Sequence, residues 1–148
     1  MKINVVLSSD IIRPVYSTSG SAGMDLRAWI DNRVDGTVTI QPHSRVLIGT
    51  GVKMEIPLGY EGQLRSRSGL AYKHGIRVFH SPCTIDCDYR GEIFVLLENT
   101  TDTSFDVNTG DRIAQLVISR YYMADLVDVD ELSDTNRGSG GFGSTGSR

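Results

Sequence analysis

Arg45-Val46-Leu47-Ile48-Gly49-Thr50-Gly51-Val52-Lys53-Met54-Glu55-Ile56 is the stretch that decides the fold class. Val46 and Ile48 alternate with Arg45, Leu47 and Gly49, and after Gly51 the residues Val52, Met54 and Ile56 alternate with Lys53 and Glu55. A period of two over this length marks half-buried strands. Outward from it, Pro57-Leu58-Gly59 turns the chain and Tyr60–Arg65 returns as a strand. Upstream, Lys2–Leu7 and Ile11–Val15 read as strands, the second interrupted by Pro14, and Met24–Ala28 and Val38–Ile40 as short extended pieces. Downstream, Ile76–Phe79, Glu92–Glu98 and Arg112–Ser119 are further strands. Ile93-Phe94-Val95-Leu96-Leu97 is apolar throughout, which predicts cover on both faces. Only Ser68–Gly75 reads as helical, with a capping Ser68 and a C-cap Gly75.

Composition agrees. The 148 residues contain 13 Val, 12 Ile and 11 Thr against three Lys and five Glu, which favours strands over helices. The length suits one domain with its own core. The predicted class is all-β, a jelly-roll-like or barrel-like sandwich with one short helix. A net charge of -3 argues against a nucleic-acid partner. The N-terminal apolar run is too short for a signal peptide, and no stretch is long enough to span a membrane. Cys83 and Cys87, without further Cys or His at metal spacing, read as free thiols in a reducing compartment, which predicts a cytoplasmic protein.

Three constellations could carry chemistry. Arg65-Ser66-Arg67-Ser68-Gly69 leads into the helix, offering either an anion site or a solvated Arg pair beside an ordinary cap. Thr84-Ile85-Asp86-Cys87-Asp88-Tyr89-Arg90-Gly91-Glu92 gathers three carboxylates, a phenol and a guanidinium. It suits either a general base near bound polyphosphate or a turn held by Asp side chains. In an extended strand Asp86 and Asp88 would share one face and Cys87 and Tyr89 the other, an alternation that a hairpin tip would break. Gly110–Leu116 enters a strand in which Arg112 and Ala114 share one face and Ile113 and Gln115 the other. There Arg112 could pair with Asp86 or another acid. The Gly/Ser-rich stretch 136–148 contains Arg137 and Phe142, and suits a frayed tail or a lid that orders on ligand.

Taken in order, five segments resemble the trimeric dUTPase family. They are Ala22–Ala28, Arg67–Ala71, Ile85–Glu92, Gly110–Leu116 and Arg137–Gly146. The resemblance implies a jelly-roll β-clip subunit in a homotrimer, with each active site assembled from three chains. Residues 1–135 would form the β domain, and residues 136–148 a flexible arm closing over a neighbouring subunit's site. It implies hydrolysis of dUTP to dUMP and pyrophosphate, with Asp86 activating water at the α-phosphate and Mg²⁺ bridging the phosphates. Asp25 would hold the ion through water. Ser68, Gly69 and Gln115 would hold phosphate oxygens, with Arg67 beside them steadying the site and Arg137 reaching the γ-phosphate. Thr84, Ile85 and Tyr89 would frame uracil and deoxyribose, with Phe142 and Gly143 closing over the base. The departures are Cys83, where the family usually has Gly, and Cys87, where it often has Ser, Ala or Glu. A dCTP deaminase of the same superfamily and a non-catalytic trimeric β module are the alternatives. The first lacks a clear deaminase-type Glu in the hairpin, and the second is disfavoured because both carboxylate and arm are present.

Overall fold

The computed structural model describes residues 1–32 and 34–141. Among them are twelve strands: β1 (Asn4–Leu7), β2 (Val15–Tyr16), β3 (Gly23–Arg27), β4 (Thr37–Ile40), β5 (Arg45–Gly49), β6 (Val52–Glu55), β7 (Tyr60–Arg65), β8 (Ile76–Val78), β9 (Cys83–Ile85), β10 (Phe94–Asn99), β11 (Phe105–Asn108) and β12 (Arg112–Arg120). One helix, α1 (Ser68–His74), lies between β7 and β8. The strands pair antiparallel in four sheets, ordered β1-β6, β5-β10-β8, β11-β4 and β2-β3-β12-β7-β9. Their inner faces share one core that includes Leu26, Ile40, Leu64, Ile76, Ile93, Val95, Leu97, Ile113 and Leu116. The all-β jelly-roll-like class read from the sequence is the one observed.

The alternation around residues 45–56 is realised. Ile48, Val52 and Met54 are buried, while Leu47, Lys53 and Glu55 are exposed. Between the two strands Gly51 adopts φ +65°, a conformation that favours glycine, and a Cβ there would lie 2.5 Å from Ile12 Cδ1.

Four local readings differ from expectation, each for a physical reason. Ile11–Val15 is not a strand, since Asp10–Ile12 forms a 3-10 turn capped by Ser9, whose hydroxyl accepts the Ile11 N–H. The turn drops Ile12 fully into the core, and pairing resumes only at β2. Strand β10 is covered on one face within the chain. Ile93, Val95 and Leu97 are buried, but Phe94 remains 43% exposed, and Leu96 faces Leu47 across the ladder on the open side. Helix α1 ends as expected on a left-handed Gly75 (φ 62°), but its N-cap is Arg67, without a side-chain cap bond. Ser68 is therefore the first helical residue, and its hydroxyl is released from capping.

The fourth is in β12. A bulge between Arg112 and Ala114 breaks the expected alternation, so Ile113 and Ala114 are both buried. Gln115 lines the cleft described next, and Arg112 reaches Asp25 at its edge. Beyond Arg120 the described residues have no strand or helix, and Tyr122, Met123, Leu126, Val127, Val129 and Leu132 are all exposed in the single chain.

Candidate active site

The register of the five-stranded sheet builds the first half of the site. Val15 pairs with Asp25, Asp25 with Gln115, and Gln115 with Arg65, forming one row across four strands. Residues in one row of a sheet project to the same face. Asp25 and Gln115 there line a cleft of about 280 Å³, closed on its other sides by Arg67, Ser68 and Gly69 at the start of α1. The sequence-predicted Asp25, Arg67, Ser68, Gly69 and Gln115 thus come together in one place. Gly23 makes room for the amide, because a Cβ there would sit 2.6 Å from Gln115 Oε1. Gln115 Nε2 donates to the Ser66 carbonyl at 2.9 Å, which ties β12 to the segment entering the helix.

Asp25 is the electrostatic centre of this cleft. Its Oδ1 lies 3.0 Å from Arg67 Nε, and its Oδ2 accepts from Arg112 Nη1 at 3.1 Å and from the Ser17 hydroxyl at 3.0 Å. Burial pushes the Asp25 carboxyl up. The Ser17 hydrogen bond and the Arg67 and Arg112 guanidinium groups outweigh that and hold it below its ordinary value. Arg112 therefore pairs with Asp25, and not with Asp86. Arg67 also donates from Nη1 to the Arg112 carbonyl at 2.9 Å. Arg67, which lines the cleft, and the hydroxyls and main-chain groups around it give an arrangement suited to an anion.

The second half lies elsewhere on the same chain. Thr84, Ile85, Asp86, Tyr89, Glu92, Ile93 and Phe94 line a separate pocket of about 210 Å³, which shares no residue with the first. Strand β9 is the edge of its sheet, so one side of the Thr84–Ile85 main chain has no strand partner among the described residues. Residues 86–91 form a turn closed by Tyr89 N–H to the Asp86 carbonyl at 3.2 Å, so the strand alternation of Asp86, Cys87, Asp88 and Tyr89 does not apply. Arg90 Nη1 donates to the Cys87 carbonyl at 2.7 Å, and the Tyr89 hydroxyl donates to the Glu92 carbonyl at 2.8 Å. Among the described residues Asp86 accepts no side-chain hydrogen bond, and it is exposed at the start of the turn. Cys83 and Cys87 are free thiols, and burial pushes that of Cys83 up.

Arg137 touches neither pocket. It is exposed and donates from Nε to the carbonyl of Gly140, within its own loop. Phe142 and Gly143 lie outside the described residues.

Among the described residues no three His, Cys, Asp or Glu side chains converge as a metal site. The residues fit a divalent ion held chiefly by other oxygens. A carboxylate offers about four lone-pair directions, and three donors already occupy Asp25, leaving room for one metal-bound water. Ser17 and Ser21, which line the first cleft, were not among the residues singled out from the sequence. Nor was Glu92 given a separate role.

An all-β fold that presents an arginine- and hydroxyl-lined cleft and, apart from it, an exposed carboxylate-bearing turn defines a class of anion-binding β proteins. A family model described as dUTPase matches residues 9–146. A deoxyuridine 5'-triphosphate nucleotidohydrolase of Roseobacter denitrificans is 53% identical over 133 residues, covering 90% of this chain and 86% of that protein. One from Nautilia profundicola is 50% identical over 147 residues, covering 99% of each. The solved structure of a Staphylococcus bacteriophage 80alpha dUTPase mutant with dUpNHpp matches with a TM-score of 0.86 at 28% identity, covering 98% of both chains. The chain belongs to the dUTPase family.

Proposed function

We propose that this protein hydrolyses dUTP to dUMP and pyrophosphate in a homotrimer whose active sites are each shared between chains. The observation that carries this reading is the separation of the two pockets. The candidate phosphate-binding groups and the candidate base line pockets with no residue in common on one chain, and Arg137 lines neither. Groups that must meet around one triphosphate would then come from different copies. The half-open apolar face of the β5-β10-β8 sheet, with Leu47, Phe94 and Leu96, and the exposed run after Arg120 supply surface for such an assembly.

In the mechanism, Asp86 of one chain takes a proton from water as the water oxygen bonds to the α-phosphorus. The α–β bridging P–O bond breaks, and pyrophosphate leaves with the electron pair. Arg67, Ser68, Gly69 and Gln115 of another chain hold the phosphate oxygens, and Arg137 of a third adds a charge-assisted contact. Mg²⁺ would neutralise phosphate charge when bound, with Asp25 holding it through a water. A structural Mg(II) ion is described for a phage phi11 dUTPase mutant that matches with a TM-score of 0.78. The unpaired edge of β9 at Thr84 and Ile85 suits recognition of the uracil edge by main-chain groups, a pattern that cytosine mismatches. Tyr89 lies under deoxyribose, and Phe142 and Gly143 close over the base. The arm comprises residues 136–148 and is carried on the segment that follows β12. Such an activity limits uracil incorporation into DNA and supplies dUMP for dTTP synthesis, which suits a cytoplasmic setting. No helix among the described residues is long and apolar enough to cross a membrane.

Subunit mixing tests the shared site. Asp86→Asn subunits should bind dUTP without turning it over, and chains lacking residues 137–148 should also be inactive. Unfolded and refolded together in equal amounts, they should recover up to about a quarter of wild-type activity, since a site is complete when base and arm come from the right partners. No recovery from folded mixed trimers would refute the shared site. Ammonia release from dCTP in a parallel assay would instead indicate deamination.

A further inference from the structure

Glu92 follows the substrate hairpin and joins it to the rest of the fold by two groups. Its main-chain carbonyl accepts the Tyr89 hydroxyl at 2.8 Å, and its Oε1 accepts the Gly51 main-chain N–H at 2.8 Å. The support on the Gly51 side is rigid. Thr50 is fully buried, its hydroxyl donates to the Ile93 carbonyl at 2.6 Å, and the Ile93 N–H donates to the Val52 carbonyl at 2.9 Å. The carboxylate is held in a tight slot, since a Cβ on Gly49 would lie 2.6 Å from Glu92 Oε1. The hairpin is equally close on its other side, where a Cβ on Gly91 would collide with the Tyr89 hydroxyl.

We propose that Glu92 is a positioning residue for sugar discrimination. Its carboxylate, anchored on Gly51, fixes the height of its own carbonyl; that carbonyl fixes the Tyr89 ring, and the ring excludes a ribose 2′-hydroxyl. The inference rests on the dUTP site proposed above. Discrimination against an added hydroxyl needs a rigid wall, because a yielding apolar contact separates such pairs only weakly. An anchored phenol is such a wall.

The test compares kcat/KM for dUTP and UTP in the full-length protein at a temperature where every variant is folded. Glu92→Gln keeps a carbonyl acceptor for Gly51 and should retain the wild-type preference for dUTP within about threefold. Glu92→Ala should lower that preference at least about tenfold, chiefly by lowering KM for UTP, and its effect should be non-additive with Tyr89→Phe. Should the alanine variant not fold, Glu92→Asp, whose carboxylate is one methylene short of Gly51, should give the same loss. A folded Ala or Asp variant that keeps the wild-type preference overturns the proposal. So does one that loses both substrates by one common factor. Failure of the wild-type protein to cleave dUTP would be a different result, and would remove the functional reading itself.

Discussion

Arg67 and Arg137 are the same side chain placed in opposite settings. Arg67 is fixed before any ligand arrives, between the Asp25 carboxylate and the Arg112 carbonyl. Among the described residues, Arg137 donates to the Gly140 carbonyl in its own loop. Preorganised donors cost no reorganisation when charge develops, whereas ordering a Gly-rich segment costs about 1–2 kcal/mol of backbone entropy per residue. The difference separates two jobs. In the proposed site, the cleft arginine would support the fold and hold the phosphates, while the arm arginine would act only once the substrate provides something to close on.

Four experiments bear on that contrast. Deleting residues 137–148 has the largest expected effect, a fall in turnover of about 10³-fold with Tm unchanged within about 2 °C, read by steady-state assay and thermal melt. A matching loss of Tm would mean that the arm is part of the folded body. Arg67→Ala should lower turnover about 10²-fold and also reduce unfolding stability by about 1 kcal/mol, since two partners lose their donor at a partly exposed site. Arg137→Lys keeps the charge but loses the planar fork, so turnover should fall about tenfold with stability unaltered. The smallest effect concerns pH. Because the Asp25 carboxyl is held below its ordinary 3.8, its ion pairs contribute stability above that value and lose it as pH falls through the depressed one. Urea midpoints between pH 5 and pH 2.5 should therefore fall less steeply in Asp25→Asn than in wild type.

What was legible in the sequence follows the range of the forces involved. Alternation at 45–56 located β5 and β6, and Tyr60–Arg65 was found to the residue, because burial of one face is written locally. The turn at Asp10–Ile12 was hidden, since a Ser9 cap competes with an equally plausible strand pattern. The bulge in β12 was hidden too: a single extra residue changes which side chains share a face without changing composition. The clustering of Asp25, Arg67, Ser68, Gly69 and Gln115 was expected from motif order, yet its physical basis is the register of β3, β12 and β7. Glu92 could not have been assigned an anchoring role, because its partner Gly51 lies 41 residues away and contributes only a main-chain N–H.

That the two pockets on a single chain share no lining residue has a consequence for how the protein behaves on dilution. If catalysis needs three copies, specific activity per chain depends on concentration, and it declines once the protein is diluted below the range in which its subunits stay together. A titration of rate against enzyme would then bend away from a straight line at its lower end, and added substrate, by bridging copies, would straighten it.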